Sequence, residues 1–268
     1  MLRIAHVGAL SVVLALTVGC GSAADTAEAT PVTTTTAAAP TSSPATADKP
    51  AVAATDWETV GASVQGRPIR TRSVGNGPRI VLFVGGIHGD EPEGALTTEQ
   101  LPAAFVAAGL ADAVTLTILE DANPDGRAAG TRANANGVDV NRNFPASNFD
   151  SANPDNGGEP LSQPESRALV ETVDRLRPNL VMVAHAWAGD QFINFDGPAR
   201  ELADRFSASS GLPVEASSEF APTPGSLGSY IGRDRKIPVL TIEVLKGSDP
   251  AAVWEKLRPA LLQAIAGT

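Results

Sequence analysis

Cysteine is almost absent from this chain: Cys20 is the only one in 268 residues. No intramolecular disulfide can form, so the fold must rest on its apolar core. Histidine is nearly as scarce, with only His6, His88 and His185. Positive charge is short too. Twenty Lys and Arg stand against 30 Asp and Glu, a net charge of −10, which argues against a nucleic-acid partner. The N-terminal apolar run, Val7 to Val18, is too short to cross a membrane comfortably. From Gly21 to about Thr55 there are no aromatics and few large apolar residues. Such a stretch buries too little surface to offset its ordering entropy.

These shortages divide the chain. Residues 1–20 read as an export signal, with Arg3 before a short apolar core. Its end, Leu16-Thr17-Val18-Gly19-Cys20, resembles a bacterial lipobox, in which the cysteine becomes the lipidated first residue. Residues 21–55, almost all Ala, Thr, Ser and Pro, read as a disordered tether. Residues 56–268 form the folded domain, with 43% apolar residues in the whole chain, ordinary for a globular protein. The expected address is the outer side of a bacterial membrane, through a lipid anchor, and a monomer is expected.

Within the domain, strand-length apolar runs alternate with helical patterns. Gly61 to Thr71 alternates around Gly66-Arg67-Pro68 and predicts an edge hairpin. Ile80–Val84, Ala113–Leu119, Asn179–Ala184 and Ile237–Val244 predict strands, with Phe192–Phe195 a further candidate. Glu91–Gly109, which Pro102 is expected to split, Pro164–Leu176, Ala199–Ser209 and Pro250–Ile265 predict helices. Asn123-Pro124-Asp125-Gly126 predicts a turn, and Ser147–Gln163 a surface loop. Strands that are apolar throughout belong to sheets covered on both faces. The expectation is an α/β fold, a three-layer α/β/α sandwich around a mixed, largely parallel sheet, with ligands beyond the carboxyl ends of the strands.

The chemistry gathers at those ends. Ile80–Val84 runs into Gly85-Gly86-Ile87-His88-Gly89-Asp90-Glu91, which presents an imidazole and a carboxylate on one Gly-rich turn. Both are natural zinc ligands. His185 follows the other apolar run that ends in histidine. With His6 in the leader, it is the remaining imidazole for a site of three protein ligands and one open position. Glu243 interrupts an apolar strand, so it either serves a site or faces solvent at an edge. Arg132 and Arg142 lie in a polar loop, where a guanidinium is either solvated or poised for a carboxylate or oxyanion.

The ordered set His88-Gly89-Asp90-Glu91, Asn123-Pro124-Asp125-Gly126, Thr131-Arg132, Gly137 to Phe144, His185 and Thr241-Ile242-Glu243 resembles the zinc carboxypeptidase family. The resemblance implies one Zn²⁺ on His88, Glu91 and His185. It implies Glu243 as general base and later proton donor, and Arg132 as the group that polarises the scissile carbonyl. Asn141 and Arg142 would grip a free carboxylate of a peptide substrate. Tyr230 would contact substrate or form a pocket wall, with plain core packing the alternative. Gly157 to Glu165 and Pro222 to Ser229 look like the murein peptide amidase branch, which cleaves the γ-D-glutamyl–diaminopimelate bond of wall peptides. Other readings are a general metallocarboxypeptidase, an N-acyl amino acid deacylase, and a lipoprotein that binds peptide without cleaving it.

Overall fold

The computed structural model describes residues 54–216 and 223–268. All lie in one compact unit, Lys49–Thr268. The leader, Cys20 and nearly all of the tether fall outside the described residues. Eight strands form one sheet: β1 (Glu58–Ala62), β2 (Pro68–Val74), β3 (Arg79–Val84), β4 (Val114–Leu119), β5 (Leu180–Trp187), β6 (Phe192–Asp196), β7 (Val214–Ala216) and β8 (Val239–Leu245). Their spatial order is β1-β2-β4-β3-β5-β8-β6-β7. The central β4-β3-β5-β8 block is parallel, while β1, β2 and the β8–β6 pair add antiparallel partners. The mixed sheet agrees with the expectation, and the hairpin at Gly66-Arg67-Pro68 is β1–β2.

Alternation along the central strands makes two cores. Val81, Phe83, Leu180 and Met182 face one side, against α1 (Ala95–Ala107), α4 (Arg200–Ser210) and α5 (Pro250–Ala266). Leu101, Phe105, Phe206, Trp254, Leu257 and Leu261 fill that layer. Leu82, Val84, Val181 and Val183 face the other side, against Leu169, Val170 and Val173 of α3 (Pro164–Leu176), with Phe144 and Ile231. Each fully buried Phe or Leu side chain contributes about 1.5–3 kcal/mol.

Three local expectations change. Pro102 does not split α1, which runs unbroken through it. Its fixed φ fits a helix, and Pro102 is buried. Asn123-Pro124-Asp125-Gly126 is no turn but the start of a short helix, α2 (Pro124–Ala129). Asn123 Oδ1 accepts from Gly126 N at 2.9 Å, Pro124 sits in the first turn, and Gly130 closes it at φ +64°. These are helix-cap residues as much as turn residues. Finally, His185 lies inside β5 instead of just past its end, because β5 stays paired with β8 out to Trp187 and Leu245, while Glu243 lies within its strand as expected.

Candidate active site

Two features of the turn after β3 set its ligands. Gly86 has φ +66°, a conformation that suits glycine, and it packs directly against the Asp121 side chain. Gly89 crosses α2 so closely that a Cβ would lie 1.9 Å from the Gly126 carbonyl carbon. Glu91 precedes Pro92, which disfavours the helical region for it, and it takes φ −119°, ψ 72°. The helical turn starts after it, so its carboxylate points back into the sheet end.

There it meets both histidines. His88 Nδ1 lies 2.8 Å from Glu91 Oε1, and His185 Nδ1 lies 2.8 Å from Oε2. The three side chains are buried, and their ligand atoms fall within 4.8 Å of one another. Among the described residues they form the one cluster that could hold a metal. Two imidazoles and a carboxylate converging from buried positions fit zinc. Burial works against charge here, but the opposed partners win. The His185 and His88 imidazoles hold Glu91 well below the usual carboxylate range, and Asp139 and Glu91 hold His88 above its ordinary value.

Asp139, a residue the sequence reading left without a role, ties the site together. Its Oδ1 accepts from His88 Nε2 at 3.1 Å and from Asn141 N at 2.9 Å. The second bond caps the tight turn Val140–Arg142. Its Oδ2 accepts from Arg132 Nε at 3.0 Å, and Arg132 Nη1 reaches Glu91 Oε1 at 3.3 Å. Despite burial, His88 and the nearby guanidinium groups keep the Asp139 carboxyl far below its ordinary range. A carboxylate on the far nitrogen of a metal-site histidine fixes ring orientation and tautomer.

The other predicted residues, save one, line the same cavity of about 210 Å³. Glu243 pairs in register with His185 across β5–β8, so both side chains share one face. Burial pushes its carboxyl up. Asn141 Nδ2 lies 3.3 Å from His185 Nε2, while its Oδ1 accepts from Leu227 N at 3.0 Å. Arg142 donates through Nη1 to the Asn141 carbonyl at 2.8 Å, and burial lowers its pKa against the pull of Asp139. Tyr230 is the exception. It does not line the cavity but packs against the second core beneath Arg235, 5.4 Å from its ring, so a substrate contact finds no support in its position. Tyr230 lies within the π-helical stretch Gly228–Asp234.

Two further residues complete the picture. Buried Asn143 donates to the Asn156 and Glu159 carbonyls and accepts from Gln163 N and Ser166 Oγ, which anchors the polar loop behind Asn141-Arg142. Asp196, on β6, lines the cavity while only 6% exposed. Its Oδ1 accepts from Arg233 Nε at 2.8 Å, and its Oδ2 lies against Gly228. Its signal in the sequence was a charge closing an apolar strand, the same kind of signal that drew attention to Glu243.

A sheet-end His-Glu-His cluster facing a half-buried glutamate and two arginines is the arrangement of a metallopeptidase. The zinc carboxypeptidase family profile matches residues 47–212, and the chain belongs to that family of zinc-dependent hydrolases. Its cofactor is one Zn²⁺. Among curated relatives, murein peptide amidase A of Escherichia coli K12 is 33% identical over 178 residues, covering 60% of this chain and 69% of the relative. Gamma-D-glutamyl-L-diamino acid endopeptidase 1 of Lysinibacillus sphaericus is 25% identical, covering 73% of this chain and 62% of that protein. Among solved structures, the murein-tripeptide amidase of Escherichia coli O157 superposes with a TM-score of 0.59 at 27% identity, over 78% of this chain and 91% of that one. Carboxypeptidase A from Helicoverpa armigera has a TM-score of 0.68 at 18% identity, over 82% and 70% of the two chains, which shows the shared fold.

Proposed function

We propose that this chain hydrolyses an amide bond beside a free carboxylate in peptidoglycan stem peptides, of the γ-D-glutamyl–diaminopimelate type. The observation that carries this reading is the mixed charge of one cavity. Arg142 and Asn141 offer donors for a carboxylate, and the Asp196 carboxylate, paired with Arg233, adds negative charge to the same wall. A diamino acid with its own carboxylates presents both partners. The likeness to the Escherichia coli murein peptide amidases and to a gamma-D-glutamyl-L-diamino acid endopeptidase supports the same substrate class.

His88, Glu91 and His185 would hold the zinc ion, which would supply an activated water and a Lewis acid for the scissile carbonyl. The chain's own residues do the rest. Arg142 and Asn141 fix the substrate carboxylate and so the register of the bond. The Arg132 guanidinium faces the carbonyl oxygen as it gains charge. Glu243 takes the proton from the attacking water on its carboxylate and returns it to the leaving amine. Its placement in a buried strand raises its basicity for that task.

Incubation of the zinc-loaded soluble domain with L-alanyl-γ-D-glutamyl-diaminopimelate tests the reading. Free diaminopimelate, identified by mass, is the expected product. Cleavage of ordinary L-peptides alone overturns it. For the address, we infer export and lipidation at Cys20 from the leader's pattern. Fatty-acid labelling of the full chain, lost in Cys20→Ala, is the expected result.

A further inference from the structure

The Arg132 side chain is 46% exposed, yet its task requires a guanidinium fixed where the oxyanion forms. A long, half-exposed side chain has many rotamers to lose. Its anchor is Asp139, whose Oδ2 accepts from Arg132 Nε at 3.0 Å. Only seven positions separate the two residues, so the chain must double back between them.

Asn134 makes it do so. It is buried, and each of its polar groups is engaged. Its N–H donates to the Val138 carbonyl, and its carbonyl accepts from Gly137 N, both at 2.9 Å. Its Oδ1 accepts from Asn136 N and Val138 N, both at 3.1 Å. These bonds close the turn 134–138, in which Gly137 takes φ +77°. Arg132 stands just before the turn and Asp139 directly after it, so the turn sets the approach of one to the other. The remaining group, Asn134 Nδ2, fastens the turn to the body of the protein. It donates to Gln163 Oε1 and Glu165 Oε2, both at 2.9 Å. Glu165 is fully buried in the first turn of α3, where the positive helix end favours a carboxylate. Its Oε1 accepts from Val64 N at 3.0 Å, near the tip of the β1–β2 hairpin.

We propose that Asn134, fastened by Glu165, is a positioning residue for the reaction: through its turn it holds Arg132 at the oxygen of the scissile carbonyl. The inference rests on the role given to Arg132 above. Asn134 and Glu165 lie outside the cavity lining, so they act through other groups. The groups they act on touch the metal ligands, since Arg132 Nη1 reaches Glu91 Oε1 at 3.3 Å and Asp139 Oδ1 accepts from His88 Nε2 at 3.1 Å. An arginine that meets charge as it develops contributes to the transition state more than to the ground state, so its misplacement lowers kcat and spares KM.

The test uses Asn134→Asp. The new carboxylate still accepts from Asn136 N and Val138 N, but it opposes the Glu165 carboxylate instead of donating to it. Adding Glu165→Gln reverses the direction of that bond and restores the wild-type net charge. Two readouts are taken on the zinc-loaded protein. The first needs no substrate: hydrogen exchange of Arg132 Nε–H by nitrogen-15 NMR, its signal assigned by loss in Arg132→Lys. Exchange is expected to be slow in the wild type, about tenfold faster in Asn134→Asp and slow again in the double variant. The second is turnover of L-alanyl-γ-D-glutamyl-diaminopimelate. Asn134→Asp is expected to lower kcat by about tenfold or more with KM within about twofold, the double variant to recover most of it, and the loss to vanish in an Arg132→Ala background. Unaltered exchange or a wild-type kcat in Asn134→Asp overturns the proposal. So does an equal fall in kcat with and without Arg132, which marks general damage to the fold. If Asn134→Asp does not fold, Glu165→Gln alone carries both readouts, with shifts of about threefold expected and no shift overturning the proposal. A wild-type kcat in Arg132→Ala removes Arg132 from catalysis and the proposal with it. If the wild type leaves this peptide intact, the substrate reading falls, while the exchange result still decides whether Asn134 positions Arg132.

Discussion

Asp139→Asn isolates the least obvious part of the site. The native carboxylate accepts three hydrogen bonds, from His88 Nε2, Asn141 N and Arg132 Nε. Asparagine has nearly the same shape and caps helical turns about as well, so the Val140–Arg142 turn survives. What it lacks is a second acceptor. If its oxygen faces His88 and Asn141, its NH₂ meets the Arg132 N–H. In the flipped orientation it meets the other two donors. Either way one donor opposes another, and the negative charge that balances Arg132 and Arg142 is gone. Loss of such a partner behind a metal-site histidine reduces metal affinity or activity by about 10–100-fold, which corresponds to about 1.4–2.7 kcal/mol. The assay is zinc competition against a chelator of known affinity, followed by turnover at saturating zinc. The apo variant should melt near the wild type. A zinc affinity and turnover both within about twofold of wild type refute the reasoning, since Asp139 would then be only a cap.

Four further outcomes are expected. Glu243→Gln should keep bound zinc, measured by elemental analysis, yet lose about 10²–10⁴-fold in kcat; wild-type turnover would remove it from proton transfer. Because burial raises the Glu243 pKa, the base stays protonated to a higher pH than an ordinary glutamate. The acid limb of the kcat profile should therefore lie above the usual carboxylate range, and a limb at that range would contradict it. Arg142→Lys should raise KM by about tenfold for substrates with a free carboxylate and leave amidated analogues unaffected, since a bidentate fork is lost. Asp125→Ala should lower stability by about 2–3 kcal/mol in urea titration, because buried Asp125 accepts from Ser63 Oγ and Gln65 N at 2.8 Å each and pairs with Arg67. These bonds depress its pKa against burial. The contribution is thus complete above the unfolded-state pKa and vanishes as pH falls through the lower folded value, so Asp125→Asn should flatten the acid-unfolding curve.

How far the chain could be read depended on whether neighbours in sequence or neighbours in space decide a position. Glu91 was legible because its cause is local: Pro92 bars it from the helix and turns its carboxylate toward His88. The helix α3 was legible for the same reason, with proline at its start and one apolar face. The short helix α2 was misread because an Asn-Pro-Asp-Gly run satisfies both a turn and a cap, and the choice falls to Gly89, whose backbone packs on Gly126. Asp139 and Asp196 were harder to read, although a charge at the end of an apolar strand marks Asp196. Each looks like a solvated carboxylate until the sheet is assembled, and only then does one face His88 while the other closes a cavity wall with Arg233. Glu243 sits between these cases. Its charge in an apolar strand raised the question, but the answer lies in the register of β8 on β5. A slip of one residue would turn Glu243 to the opposite face from His185 and leave the cavity without its proposed base. The catalytic reading of Glu243 therefore rests on the pairing of two strands more than fifty residues apart in sequence, a relation no local pattern contains.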